Sequence, residues 1–197
     1  SLEVLNLSSF IPSSVINMDK LFFNCINLKT LYLDNFKTSN VKKMNEMFAK
    51  CKSLESLDLS KFETSSLINA SYMFEGCSSL KYLNLSNFNT SAIKNVNVNS
   101  MFYGCGNITS LDLNKFDFSE VNNMNNMFIG CPNLKYIGLK KLVIKNNTYY
   151  YKLFDENLIN PTICIDDEKS LIKVVSLFQC KNESFYEYSF NKDNKKL

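Results

Sequence analysis

The chain has 197 residues, 45% of them hydrophobic, and a net charge of +3. All 22 basic residues are lysines, interspersed with 19 acids, so no clustered basic face of the kind that binds nucleic acid is expected. Histidine is absent, which excludes histidine-based nucleophilic catalysis and histidine-ligated metal; no run of 18 apolar residues exists to cross a membrane as a helix.

In chain order the sequence resolves into one repeated unit. Leu2, Leu5, Leu7, Phe10, Val15 and Met18 set a pattern that returns around Cys25, Cys51, Cys77, Cys105 and Cys131, spaced 26, 26, 28 and 26. A phenylalanine lies three residues before each cysteine (Phe22, Phe48, Phe74, Phe102, Phe128). A leucine or isoleucine follows at three, six and eight residues, as in Leu54, Leu57 and Leu59. A unit this short cannot bury its own apolar positions, but stacked units bury them as continuous columns. The first coil lacks its leading cysteine, so an open N-terminal end is expected. The spacing of 28 reflects two extra residues, placed in the stretch Lys94–Ser100 as a bulging loop.

Within the unit, the L-x-L run alternates with period two, as in Leu57-Asp58-Leu59, and predicts a short strand parallel to its neighbours. Met44, Met47, Phe48 and Cys51 have helical spacing and predict a short helical turn. Thr38-Ser39, Thr64-Ser65 and Thr90-Ser91 lie between, where hydroxyls suit a turn. The predicted fold class is therefore an α/β solenoid, leucine-rich-repeat-like, of about five and a half coils over residues 1–142, with a C-terminal cap over 143–197.

The marks M-F-x-x-C, S-L-x-x-L-D-L-S and F-x-T-S make the unit resemble the repeat of BspA-type leucine-rich-repeat surface proteins. The resemblance covers about Ser1 to Leu142. Departures are the two-residue insertion, Phe118 in a threonine place, and Gly138 with Leu142, which suggest that the repeat is ending. The resemblance implies surface exposure, adhesion or protein binding without enzymatic activity.

Beyond Leu142 the pattern predicts a cap. Tyr149, Tyr150, Tyr151, Leu153 and Phe154 are placed over the last coil; Thr162–Ile165 reads as strand and Glu168–Cys180 as an amphipathic helix. Cys164 and Cys180 lie off the repeat and form a candidate disulfide, against two ordinary buried cysteines; closing that loop would stabilise by roughly 3 kcal/mol. The five repeat cysteines lack zinc-ligand spacing and read as buried thiols. No cofactor or metal site is expected.

Candidate N-glycosylation sequons stand at Asn69, Asn107, Asn146 and Asn182. Outward strand positions supply a candidate partner-binding face: Tyr32, Asp34, Asp58, Tyr82, Asn84, Asp112 and Tyr136. Six short strands give a face of roughly 300 Å², against about 800 Å² per partner in a standard interface, so weak binding in many copies is the expected mode. The sequence thus points to a non-catalytic extracellular or cell-surface module that binds a protein or glycan. The alternative is a structural subunit of a surface assembly, packed through its open end and cap.

Overall fold

A computed structural model describes residues 2–90, 96–155, 158 and 161–165. The chain winds into a parallel β-solenoid of about six turns, with successive turns 26 residues apart and one of 28. The L-x-L runs form β1 (Val4–Asn6), β2 (Thr30–Tyr32), β3 (Ser56–Asp58), β4 (Tyr82–Asn84), β6 (Ser110–Asp112), β8 (Tyr136–Gly138) and β9 (Thr162–Cys164). On a second wall lie β5 (Val96–Asn97) and β7 (Val121–Asn123). There a line of parallel bridges runs through Asn17, Lys43, Asn69, Asn97, Asn123 and Tyr149.

The core between the walls is the predicted set of columns. Leu28, Leu54, Leu80, Ile108 and Leu134 are buried, as are Leu31, Leu57, Leu111 and Ile137. Phe22, Phe48, Phe74, Phe102, Phe128 and Phe154 stack face to face, with neighbouring ring centroids 5.1–5.7 Å apart. Each such ring contributes on the order of 1.5–3 kcal/mol by burial alone.

The predicted helical turns do not form; among the described residues there is no helix, and the coils form a parallel β-solenoid rather than an α/β one. The M-F-x-x-C segment is instead a run of overlapping tight turns. Met47, Ala49 and Cys51 donate their N–H groups to carbonyls three residues back. The alternate residues Met44, Glu46, Phe48 and Lys50 donate to Asn69, Ser71, Met73 and Glu75 of the next coil, at 2.6–3.0 Å. Glu46 (φ 54°) and Lys50 (φ 63°) are left-handed, and the same two places recur as Tyr72 and Gly76, Ser100 and Gly104, Asn126 and Gly130. A left-handed residue at every fourth place swings alternate N–H groups out of the helical path and onto the neighbouring coil. The apolar spacing of three and four survives this change, so periodicity alone misreads it as helix. Gly130 shows the tightness of the column: a Cβ there would lie 3.0 Å from the Cα of Gly104.

The cysteines have a donor role beyond filling space. Sγ of Cys51, Cys77, Cys105 and Cys131 donates to the carbonyl of Phe22, Phe48, Phe74 and Phe102 in the preceding coil, at 3.1–3.2 Å. Burial pushes these thiols up, Cys51 and Cys131 to about 12 and Cys77 and Cys105 also well above the usual 9.0. The F-x-T-S threonines also join coils. Thr64 Oγ1 accepts from Asn89 N–H at 2.8 Å and donates to Asn89 O at 3.0 Å, and Thr38 repeats this with Glu63. Phe118, in the place of Thr90, is buried against Phe116.

Two boundaries move. The extra residues enter between Thr90, which keeps its 26-residue place, and Val96, since Asn97 pairs with Asn69. The winding also does not stop at Leu142. Tyr136, Ile137 and Gly138 pair with Thr162, Ile163 and Cys164 in the same register, and Phe154 extends the phenylalanine stack. Residues 143–165, read from the sequence as the start of a cap, therefore carry one more turn. Leu153 and Phe154 are its core; Tyr149 and Tyr151 are exposed rather than laid over the last coil. Gly138 marks no ending either. A Cβ there would meet the Asn114 side chain at 2.6–2.8 Å, so glycine admits Asn114 over the strand.

Candidate interaction surface

The strand wall is where the sequence placed a partner. Its ladder is interrupted. β1 pairs with β2, β3 with β4, β6 with β8 and β8 with β9, but no ladder joins β2 to β3 or β4 to β6. At closed junctions Leu7, Leu59, Leu113 and Leu139 donate to Tyr32, Asn84, Gly138 and Cys164 O at 2.8–3.0 Å; Thr30, Tyr82 and Tyr136 donate to Glu3, Glu55 and Thr109 O at 3.2–3.3 Å. The corresponding groups of Leu33 and Ser56, and of Leu85 and Ser110, have no such backbone partner among the described residues. These two junctions are seams in the ladder.

The predicted face residues divide into two kinds. Asn6, Asp58, Asn84 and Asp112 each accept, through Oδ1, the N–H two residues on (Ser8, Ser60, Ser86, Asn114) at 2.8–3.1 Å. They close the strand in an Asx turn, which accounts for Asp or Asn at that place. Asp34 accepts from Ser8 Oγ at 2.6 Å. The tyrosines have no such duty. Tyr32 is 48% exposed and Tyr82 56%. Tyr136 is half-buried, and burial raises its phenol above 10.0, opposed by a hydrogen bond with Asn114.

Charge on this wall alternates from coil to coil: Glu3, Lys29, Glu55, Lys81. Lys29 Nζ meets Glu3 at 2.9 Å and Lys81 meets Glu55 at 3.0 Å, both across closed junctions. The hydrogen bond with Glu3 raises the Lys29 pKa. Sequence reasoning did not find the seams, because they are made by backbone. Their only trace is the tripeptide Ser-Leu-Asp, which forms both β3 and β6.

The sequon asparagines are unequal. Asn107 and Asn146 are exposed. Asn69 is half-buried, and its Oδ1 accepts both N–H and Oγ–H of Ser71, its own sequon serine. Asn182 and the Cys164–Cys180 disulfide fall at or beyond the described residues, as does the helix over 168–180. Among the described residues no group of three acids and cysteines could hold a metal ion, and no helix is long and apolar enough to cross a membrane.

No curated protein matches the chain. A family model described as "Mycoplasma protein of unknown function, DUF285" matches residues 1–109 and again 81–195, each match taking in several coils. Together the two matches span residues 1–195, and the chain belongs to that family.

Proposed function

We propose that the chain is a non-catalytic interaction module of a cell-surface or secreted protein, binding a protein or glycan through its strand wall. The observation that carries this reading is the pair Tyr32 and Tyr82. Both stand about half exposed on the strand wall, and neither side chain has a hydrogen bond or ring contact there among the described residues. Exposed tyrosine gives contact area with little side-chain entropy to lose. The resemblance of the M-F-x-x-C and S-L-x-x-L-D-L-S marks to BspA-type leucine-rich-repeat surface proteins supports the same reading, as do exposed sequons at Asn107 and Asn146. The test offers the chain, coupled to beads, to arrays of extracellular protein domains and of glycans. The reading expects saturable binding that Tyr32→Ala with Tyr82→Ala weakens about tenfold or more while the fold is retained. Equal binding by the double variant overturns the strand-wall assignment, and no binding to either array overturns the module. Thiol titration of the unreduced protein tests location: five reactive thiols after unfolding fit a Cys164–Cys180 disulfide and export, whereas all seven fit a reduced compartment.

A further inference from the structure

We infer that the two seams of the strand wall are a pair of subsites, alike in composition, for a neutral, hydroxyl-rich glycan. This rests on the strand wall being the binding face, and adds where on it the ligand sits and of what chemistry it is. The seams are alike in composition. One is bounded by Thr30 and Tyr32 of β2 and by Ser56 and Asp58 of β3. The other is bounded by Tyr82 and Asn84 of β4 and by Ser110 and Asp112 of β6. Each therefore offers one exposed tyrosine ring, one serine hydroxyl and one aspartate from the same Ser-Leu-Asp strand. Each aspartate spends Oδ1 on its Asx turn, which fixes the carboxylate and leaves Oδ2 for a ligand.

The backbone adds donors and acceptors at the same places. Across a seam the N–H groups of Ser56 and Leu33, or Ser110 and Leu85, have no ladder partner among the described residues. Unpaired strand groups must be met by water or by a ligand. Hydroxyls are both donors and acceptors, so a sugar matches such a mixed set, and its ring faces an aromatic side chain well. A peptide matches less well. Adding a strand between β2 and β3 would need about twice the usual spacing of about 4.8 Å, yet Cα atoms on the two sides of each seam still come within 8 Å. A strand does not fit there. The lysines nearest the seams, Lys29 and Lys81, are held by Glu3 and Glu55 across the closed junctions. What remains at the seams is carboxylate, which disfavours anionic sugars. The seams lie two coils apart, about 10 Å, so one extended oligosaccharide spans both.

The test titrates isotope-labelled chain with short neutral oligosaccharides of glucose, galactose, mannose and N-acetylglucosamine, and separately with an unstructured peptide library, following backbone amides. At least one sugar should shift Leu33, Ser56, Leu85 and Ser110 together while the amides of Phe48 and Phe74 stay fixed. Asp58→Asn and Asp112→Asn keep the Asx turn, and each should weaken that sugar by about tenfold. If no sugar moves these amides but a peptide does, the glycan assignment is overturned and the strand wall stands as a binding face. If neither class moves any strand-wall amide, both fall. If a sugar binds and the two aspartate variants bind it equally well, the seam is not the subsite.

Discussion

The two long walls of the solenoid are held together differently. On the turn wall every coil from the first to the fifth sends four N–H groups to the next coil, three to main-chain carbonyls throughout and the fourth, from Gly130, to Asp155 Oδ2. On the strand wall the ladder closes, opens at β2/β3, closes, opens at β4/β6 and closes again. The wall that reads as helix in the sequence is thus the continuous fastening, and the wall that reads as sheet is the intermittent one. Extended strands pair only where register and spacing allow. The left-handed turns instead fix the direction of each donor, and every coil carries them. A stack fastened along one side can leave backbone on the other side open to solvent or ligand without losing its form.

The largest expected break in this contrast comes from the turn-wall column. Phe74→Ala, in the centre of the ring stack, should lose about 3–5 kcal/mol in denaturant unfolding. Leu83→Ala on the strand wall, where the leucine is only half-buried, should lose nearer 2 kcal/mol. Equal losses would remove the distinction.

Alkaline pH acts next, and most strongly on the turn wall, which holds the four buried thiols. The buried thiols hold their protons in the fold to well above the point where an unfolded chain releases them. Their contribution is therefore whole below pH 9.0 and declines as pH rises towards about 12, the value for Cys51 and Cys131. The slope is about 1.4 kcal/mol per thiol per pH unit. Melts from pH 7 to 11 of wild type and of Cys77→Ala should differ in slope above pH 9, the variant falling less steeply.

Smaller effects test single fastenings. Gly130→Ala meets both the left-handed backbone (φ 73°) and the Gly104 Cα, and should lose about 1–3 kcal/mol. Thr64→Val removes a hydroxyl that both accepts from and donates to Asn89, and should lose about 1–2 kcal/mol. At the low end, Tyr82→Ala on the exposed strand wall should stay within about 0.5 kcal/mol of wild type in thermal and denaturant unfolding. A large loss there would give Tyr82 a structural task and weaken its assignment to binding.

The columns were legible because each is one residue type at one place: the phenylalanine, leucine and cysteine ladders appear in space as they appear in print. The turns were not, because Met44, Met47, Phe48 and Cys51 present the same face in an α-turn and in a left-handed turn stack. A clue was available in Gly76, Gly104, Gly130 and Asn24, residue types tolerant of positive φ, each standing directly before the cysteine. The seventh strand was legible as a strand at Thr162–Ile165 but not as a further coil, because Asn157 replaces the marker cysteine and Ile163 and Ile165 replace leucine. Of the candidate binding face, the outward places were legible by alternation. That Asp58 and Asp112 close Asx turns, and that ladders stop beside them, depends on backbone geometry that no side-chain pattern prints.

Site-resolved amide hydrogen exchange tests the contrast between the walls most directly. Phe48, Phe74 and Phe102, which donate coil to coil on the turn wall, should be the most protected amides, with Leu59 and Leu113 at closed junctions close behind. Leu33, Ser56, Leu85 and Ser110 at the seams should exchange at least about tenfold faster than Leu59 and Leu113. Uniform protection along the strand wall, or seam amides as slow as those of the turn wall, would contradict the account.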